Sequence, residues 1–330
     1  MRTPKPLPWP LAQQAFTLDQ AERAGLSRSR TRAPDLWTPS RSIRIPHQGL
    51  GDWRSICRAN LSLIPDGIAS HNTAASLHGL FLPSRLENHP LLQISRPMGQ
   101  GRPQRNLLRG HELFLEDGDV VELAGMLVTS VQRTLLDIAP LLAVDEIVEI
   151  ADQIVCAHAY SFKPPKFPMV SLGALHNYIE RHTGMRGIRK VRAAMELVRV
   201  GSDSPRETQL RLLIERTPLP AFECNVEIKD PSGTGRVGPD LACKKYRTCA
   251  EYDGAHHFTA EQQGKDHDRD FVTKSLDWHQ ALINNHDMKN GGQVAITKIA
   301  RMLVQGGWPD PHNLAGQSLR GKLSTRRDFE

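Results

Sequence analysis

The sequence predicts an α+β N-terminal region joined to an α/β C-terminal domain built on a central mixed sheet. Three observations carry this. Short runs such as LLQISRP, HELFLED, DVVELAG and MLVTS read as strands lying between short helices. A proline-rich stretch, SFKPPKFP at 161–168, reads as a linker or stiff loop. After it, Ser204-Pro205-Arg206-Glu207 opens a helix that leads into a β-meander carrying acids.

The 330 residues suffice for two domains, or three small ones, each with its own core. A 39% hydrophobic and 24% charged composition is that of an ordinary soluble protein, and a net charge of +6 favours polyanionic over acidic partners. The five cysteines form no CxxC pair and are odd in number, which argues against a disulfide framework or a cysteine-built zinc site. The N-terminal segment lacks the apolar run of a signal peptide, and no stretch of about 18 apolar residues occurs. The expectation is a cytoplasmic protein with no membrane contact and reduced thiols.

Residues 1–50 read as a helix-turn-helix and wing-like segment. Thr17-Leu18-Asp19-Gln20 has the form of a capping box, and Gly25 closes its helix. Ala21 and Gly25, followed by SRSRTR, suit a helix-turn-helix in which Arg28, Arg30 and Arg32 meet phosphates. A solvated basic helix on a small bundle fits the same residues. SRSIRIP at 40–46 alternates as a strand and is the candidate wing.

Residues 51–160 form a second α+β region. Trp53–Asn60 is helical, and 70–83 is a helix with Ser70 as its cap candidate, ending at Gly79 and Pro83. His71 and His78 share a helical face, but nothing nearby completes a metal set, so they read as packed or surface histidines. Ser130 is expected to cap VQRTLLDIAPLL and Asp145 the following EIVEIADQIVCAH. Arg133 and Asp137, four apart, read as a helix-surface ion pair. In 161–199 the linker is followed by helical stretches at 171–182 and 187–199, with Arg186, Arg189, Lys190, Arg192 and Arg199 on a face that is either solvated or tracks phosphates.

The chain is organised around 200–308, and within it around GRVGPDLACKKYRTCAEYDGAHH. FECNVEI, RVGPDLAC and RTCAEYD read as strands joined by turns at 230–233 and at Lys244-Lys245-Tyr246. Period-two alternation puts Glu251 and Asp253 on one side of their strand, where Asp240 from the neighbouring strand can converge with them. Phosphodiester hydrolysis near neutral pH needs an activated water and neutralisation of growing phosphoryl charge. Mg²⁺ (or Mn²⁺) held by one or two carboxylates supplies both, and Asp240 with Glu251 can seat it. Glu207 is accounted for as the capping glutamate of its helix. The tail, 309–330, is expected to be disordered.

In order along the chain, ETQLRLLIE, GRVGPDLA, AEYDGAHH and DHDRD leading to DW resemble the Vsr-like endonuclease-type domains of the PD-(D/E)XK superfamily. The resemblance covers about 200–308 and implies a restriction-endonuclease-like domain in which Asp240 and Glu251 ligate the metal. It further implies Asp253 as another ligand or as the occupant of the parent motif's lysine position, and Glu207 as an accessory acid. His256 or His257 stands where such domains place an acid/base or phosphate-contacting histidine, and Arg269, after Asp266, braces the site or meets phosphate. Two departures stand out. Asp253 replaces the lysine, and Lys244 and Lys245 in the turn are poor substitutes. Asp277-Trp278-His279-Gln280 and ALINNHDMKNGG stand where relatives have Gly-Trp and an apolar strand, so the closing strand is expected to be altered or lost. GLSRSR, SHNTAASLHGL and VTSVQRTLLDIA resemble the N-terminal part of proteins related to AbiEi-type antitoxins, with a winged helix-turn-helix.

The first function these patterns imply is a metal-dependent DNA endonuclease with an N-terminal DNA-docking module, acting in repair or phage defence. The second is a DNA-binding antitoxin-type regulator whose nuclease-like fold is only a scaffold. The third is an assembly partner with neither activity. A regulator tolerates loss of Asp240 and Glu251; a nuclease does not.

Overall fold

The computed structural model describes residues 4–47, 52–88, 90–161, 164–230, 236–253 and 271–317. The chain divides into two compact units, Met1–Leu142 with Asn177–Val191, and Ala143–His176 with Arg192–Glu330. Both mix helices and sheets, as the sequence predicts. The division falls at Leu142 and Ala143, ahead of the proline-rich stretch, because the helix that begins at Val144 packs on the second unit's helix at 205–215.

The first unit opens with β1 (Phe16–Thr17), α1 (Leu18–Arg23), β2 (Leu36–Ser40) and β3 (Ile43–Pro46), a three-stranded antiparallel sheet in the order β1-β3-β2. The capping box is present: Gln20 N donates to Thr17 Oγ1 at 3.2 Å and Thr17 N to Gln20 Oε1 at 2.8 Å. Gly25, at φ 75°, takes the left-handed turn that returns Leu26 N to Ala21 O. The expected second helix of the helix-turn-helix is a correction, since only a 3-10 turn, Arg30–Arg32, forms there. Ser27 Oγ takes the Arg30 N–H at 3.2 Å, a serine competing with the helix ladder, and Pro34 then stops the turn. The wing-candidate strand is β3, and its partner β2 went unmarked in the sequence.

Next come α2 (Trp53–Leu61), β4 (Ile68–Ala69), α3 (His71–His78), α4 (Ser84–Glu87), β5 (Leu92–Pro97), β6 (Leu108–Leu113), β7 (Val120–Leu123), β8 (Met126–Thr129) and α5 (Val131–Ile138). Their strands form one mixed sheet in the order β6-β5-β4-β8-β7, parallel at β5/β6 and β4/β8. Ile94, Val128, Ala69 and Leu77 fill the core beside it. Ser130 caps α5 as expected, accepting from Arg133 N. The predicted surface pair is instead buried: Arg133 Nε meets Asp137 at 2.9 Å and its Nη1 meets Asp119 at 2.7 Å, with all three side chains nearly inaccessible. Tyr178 O–H donates to Asp119 as well. An i,i+4 spacing fixes the pairing but not which helix face turns inward, and here α5 turns the charged face toward the Asp119 loop.

In the second unit, α6 (Val144–Val155) starts at Ala143, whose N–H donates to Glu146 Oε2 at 2.8 Å. Asp145 is therefore in the first turn, not at the cap, and forms a two-pronged pair with Arg216 at 2.6 and 2.7 Å. The helices α7 (Leu172–Arg181) and α8 (Ile188–Met195) follow, each divided between the units, since 177–191 belongs to the first. On the basic face, Lys190 Nζ and Arg199 Nη1 bond backbone carbonyls, whereas Arg186 and Arg189 stay exposed.

The remaining elements are α9 (Pro205–Glu215), β9 (Glu223–Cys224), β10 (Ile228–Lys229), β11 (Arg236–Val237), β12 (Leu241–Cys243), β13 (Thr248–Asp253), β14 (His279–Asn284) and α10 (Gln293–Gln305). The main sheet runs β14-β13-β12-β9, antiparallel except for the parallel β13/β14 pair. Two predicted strands are each broken in two. FECNVEI breaks at Asn225, φ 58°, whose Nδ2 donates to Ala157 O at 2.7 Å. RVGPDLAC breaks at Pro239, which has no N–H for a ladder.

The closing strand is intact, which corrects the expectation of its loss. All six β13 residues pair with β14, from Thr248 opposite His279 to Asp253 opposite Asn284. An edge strand needs an apolar residue only at alternate positions, and Ala281 and Ile283 are buried while Leu282 and Asn284 are exposed. The disorder expected from Pro309 does not begin there: Leu314 joins the core, and Asp310 accepts from Leu314 N and Ala315 N, both at 2.8 Å. Residues 318–330 lie outside the described residues.

On one side of this sheet, Leu241, Ala250 and Ile283 pack with Leu210 and Ile214 of α9 and Ile299 and Leu303 of α10. Asp152, fully buried on α6, anchors α9 through Arg211 Nη2 at 2.7 Å and Thr208 Oγ1 at 2.9 Å, and also accepts Arg199 N at 2.8 Å. Removing Arg211 leaves a carboxylate in the dark, so R211M should cost about 3–5 kcal/mol. The apolar double replacement D152L/R211M should recover most of that loss in chemical denaturation.

Candidate functional site

The antiparallel register places Leu241 opposite Ala250 and Ala242 opposite Cys249. The register ends there, and Asp240, the residue before Leu241, lies next to the Glu251–Tyr252 segment of β13. Ala242 and Cys249 pack with Val226, Ile228 and Val237. Glu251, two residues on from Cys249 in β13, is on that face by the alternation of the strand, while Asp240 stands just before β12. Asp240 Oδ2 accepts the Tyr252 N–H at 2.7 Å, which fixes the carboxylate at the strand junction. Glu251 is 8% exposed within a strand paired on both sides.

Glu207 reaches the same place from the first turn of α9. Ser204 Oγ caps the helix by accepting Glu207 N at 3.2 Å, as the sequence predicts. The Glu207 carboxylate accepts in turn from Asp203 N at 2.7 Å and from Ser204 Oγ at 2.9 Å. Asp203 is itself held by Lys166 Nζ at 2.5 Å, with Cys156 Sγ and His158 Nε2 each at 3.3 Å. Burial first, and the Asp240 charge second, push the Glu207 carboxyl up to about 7 against those hydrogen bonds. Glu207 is thus a capping residue and also a member of the acid group.

The other residues singled out in the sequence fall elsewhere. Asp253 is exposed at the end of β13. Lys244 pairs with Glu223 at 2.7 Å, and Lys245 lies 5.1 Å from the Tyr246 ring centroid. Both stand at the far turn of the β12/β13 hairpin, roughly 10 Å along the strand from Glu251 at about 3.3 Å per residue. Neither takes the lysine's place. His256, His257, Asp266 and Arg269 lie outside the described residues. In the N-terminal segment Arg28 and Arg32 are exposed, whereas Arg30 is held by Asp35 at 2.7 and 2.9 Å and by Lys5 O at 2.6 Å. His78 Nε2 lies 2.8 Å from Thr129 O and is a packed histidine, as expected.

A cleft of about 730 Å³ is lined by Arg206, Gln209, Arg216, Asn285, Lys289 and Gly292, among others. It carries three cations against one acid, Asp145, which is already paired with Arg216. Arg206 precedes Glu207, and its charge acts on Tyr252, whose hydroxyl donates to Asn285 Oδ1 at 2.8 Å. The cleft therefore begins one residue before Glu207, at Arg206 in the first turn of α9. Sequence reading passed over Arg206, inside the capping signature, and Lys289, in an unremarkable loop; adjacency to Glu207 was the signal available for the first.

Among the described residues no three His, Cys, Asp or Glu side chains gather as a metal set. A Mg²⁺ ion, however, is commonly held by one or two carboxylates and keeps several waters. Asp240 and Glu251 are hard oxygen donors of that kind. The Glu207 carboxyl is raised mainly by burial and secondarily by the Asp240 charge, the part that a divalent cation on Asp240 would relieve. The residues present fit such an ion.

No protein-family model, no curated protein and no solved structure matches the chain. Among the described residues, no helix is long and apolar enough to cross a membrane.

Because the folded-state carboxyl of Glu207 lies above its ordinary value, the folded protein holds its proton more tightly than the unfolded chain. That contribution to stability is full at acid pH and is lost as pH rises through about 7. D240N should lower the Glu207 titration, read by carboxyl-carbon NMR, and flatten the fall in melting temperature between pH 5 and pH 8, a window bracketing about 7.

Proposed function

We propose that the protein is a metal-dependent DNA endonuclease of the Vsr-like, restriction-endonuclease-like type, with Asp240 and Glu251 as its Mg²⁺ or Mn²⁺ ligands. The carrying observation is that Asp240, bonded to the Tyr252 N–H beside Glu251, acts on a third carboxyl, Glu207, which burial first and the Asp240 charge second hold up to about 7. A helix, an antiparallel meander and a parallel closing strand supply the frame such a site needs.

When bound, the divalent ion activates water and neutralises charge on the phosphoryl oxygens. Asp240 is oriented for ligation by the Tyr252 N–H. Glu251 is held rigid by β12 on one side and β14 on the other. Glu207, titrating near neutrality, suits the taking up and returning of a proton at its carboxylate. Arg206 and Lys289 line the cleft as phosphate contacts. The first unit, with exposed Arg28 and Arg32 and its AbiEi antitoxin-like sequence, would dock DNA.

One observation favours the alternative of an antitoxin-type regulator with an inactive nuclease-like domain. Asp253 stands where the parent motif places lysine, and Lys244 and Lys245 are too far along the hairpin to replace it. The acids separate the two readings. Incubated with duplex, mismatched and single-stranded DNA, the wild type should cleave or nick only with Mg²⁺ or Mn²⁺, and D240A or E251A should abolish this. Binding without cleavage under every metal and substrate ends the nuclease reading.

Arg206 and Lys289 provide a separate check. R206A and K289A should each lower the slope of log affinity against log salt by about one for all DNA sequences alike. An unchanged slope removes the cleft from the DNA path.

A further inference from the structure

In the first unit β4 passes directly into α3 through Ser70 and His71, a strand-to-helix elbow. Ser70 is extended, and His71 sits at φ 50°, in the left-handed region that few residues other than glycine adopt, though histidine, like asparagine and aspartate, enters it more readily than most. Such strain persists only where the surroundings enforce it, and it recurs at functional sites. Here it has a visible result: the His71 ring stacks on His111 of β6, with centroids 4.1 Å apart and planes inclined by 21°.

The platform beneath the two rings is polar and buried. Ser70 Oγ lies 2.5 Å from Ser95 Oγ and 3.0 Å from His71 Nδ1, and His111 Nε2 lies 2.6 Å from Gln93 Oε1. Gln93 N donates to Thr73 Oγ1 at 2.8 Å. The register sets Gln93 opposite Arg109 and Ser95 opposite His111, so one face of β5/β6 is polar while Ile94 and Leu92 point to the apolar core. Burying Ser70, Ser95 and Gln93 where apolar side chains would pack costs desolvation that their mutual hydrogen bonds only offset.

The surrounding charge has one sign. Arg109 and Arg102 are exposed beside the rings, and the loop carrying Arg102 is seated over Gly110, where any Cβ would come within 2.0 Å of Pro103 O. Burial, then His111, Arg133 and Arg109, hold the His71 imidazole down to about 3; burial, then Arg109 and Arg102, hold that of His111 down to about 4. Arg133 is spent on Asp119 and Asp137, but Arg102 and Arg109 open to solvent.

The geometry points to a second binding site, one that takes a phosphate group on the His71/His111 pair with Arg102 and Arg109 closing on it. Two guanidiniums supply directed donors and positive charge for a tetrahedral dianion, and His71, with Nδ1 on Ser70 Oγ, can add its Nε2–H, while His111, whose Nε2–H goes to Gln93 Oε1, backs the His71 ring as a stacked neutral partner. The phosphate can come from a small phosphate ester or from the terminal phosphate of a nucleic-acid strand. This site is independent of Asp240 and Glu251 and does not rest on the nuclease reading.

The test uses the full chain and inorganic phosphate as probe, followed by the imidazole NMR resonances, assigned with H71N and H111N. Asparagine tolerates the left-handed backbone, so H71N should keep the fold, and the melting temperature of each variant checks it. Phosphate should move both resonances in wild type and in D240N alike, and R109Q or R102Q should weaken it roughly tenfold. Displacement by a short oligonucleotide with a 5′-phosphate but not by its 5′-hydroxyl counterpart supports a strand end as ligand; displacement by neither supports a small ester. Rings that stay unmoved, or shifts unaltered in folded R102Q/R109Q, overturn the site.

Discussion

The buried pair between Asp152 of α6 and Arg211 of α9 is the constraint on which the second unit's chemistry depends. Asp152 has no access to water, so its charge is tolerable only because Arg211, Thr208 and the Arg199 N–H surround it. That requirement fixes the rotation of α9 about its axis. With Arg211 turned toward α6, Leu210 and Ile214 turn to the sheet, and the first turn of the helix presents Glu207 to Asp240. A helix held by apolar contacts alone would tolerate small rotations; one held by a buried ion pair does not.

The sheet supplies the second half of the arrangement. Asp240 and Glu251 are neighbours because antiparallel pairing at Leu241/Ala250 leaves no other register in which Cys243 and Ala250 reach the core. Burial, and after it the charge of Asp240, raise Glu207, whose proton is retained up to about neutrality. The proposed divalent ion would relieve the Asp240 part of that rise, and the cleft that begins at Arg206, the residue before Glu207, is lined by Arg206, Arg216 and Lys289.

Much of this was legible in the sequence, for local reasons. Ser204, Pro205 and Glu207 mark the start of α9 through chemistry within four residues, and the alternation of RTCAEYD marks β13 and the shared side of Glu251 and Asp253. The Thr17/Gln20 capping box and the Ser130 cap were equally local. Misreadings arose where a partner distant in sequence decided the outcome. Asp145 looked like a cap until Arg216 claimed it, and Arg133 with Asp137 looked superficial because Asp119 and Tyr178 come from other segments. The closing strand looked doubtful because only alternate residues of an edge strand need be apolar.

The sequence by itself determined helix starts, strand alternation and which acids could share a face, since these follow from caps and periodicities read within a few residues. Only the tertiary structure decided that Glu207 serves both as cap and as an acid under the charge of Asp240, that Arg206 and Lys289 line one cleft, and that His71 stacks on His111. Each depends on through-space distance between residues far apart in the chain. Burial and Coulomb interaction act over that distance, and a linear pattern does not contain it.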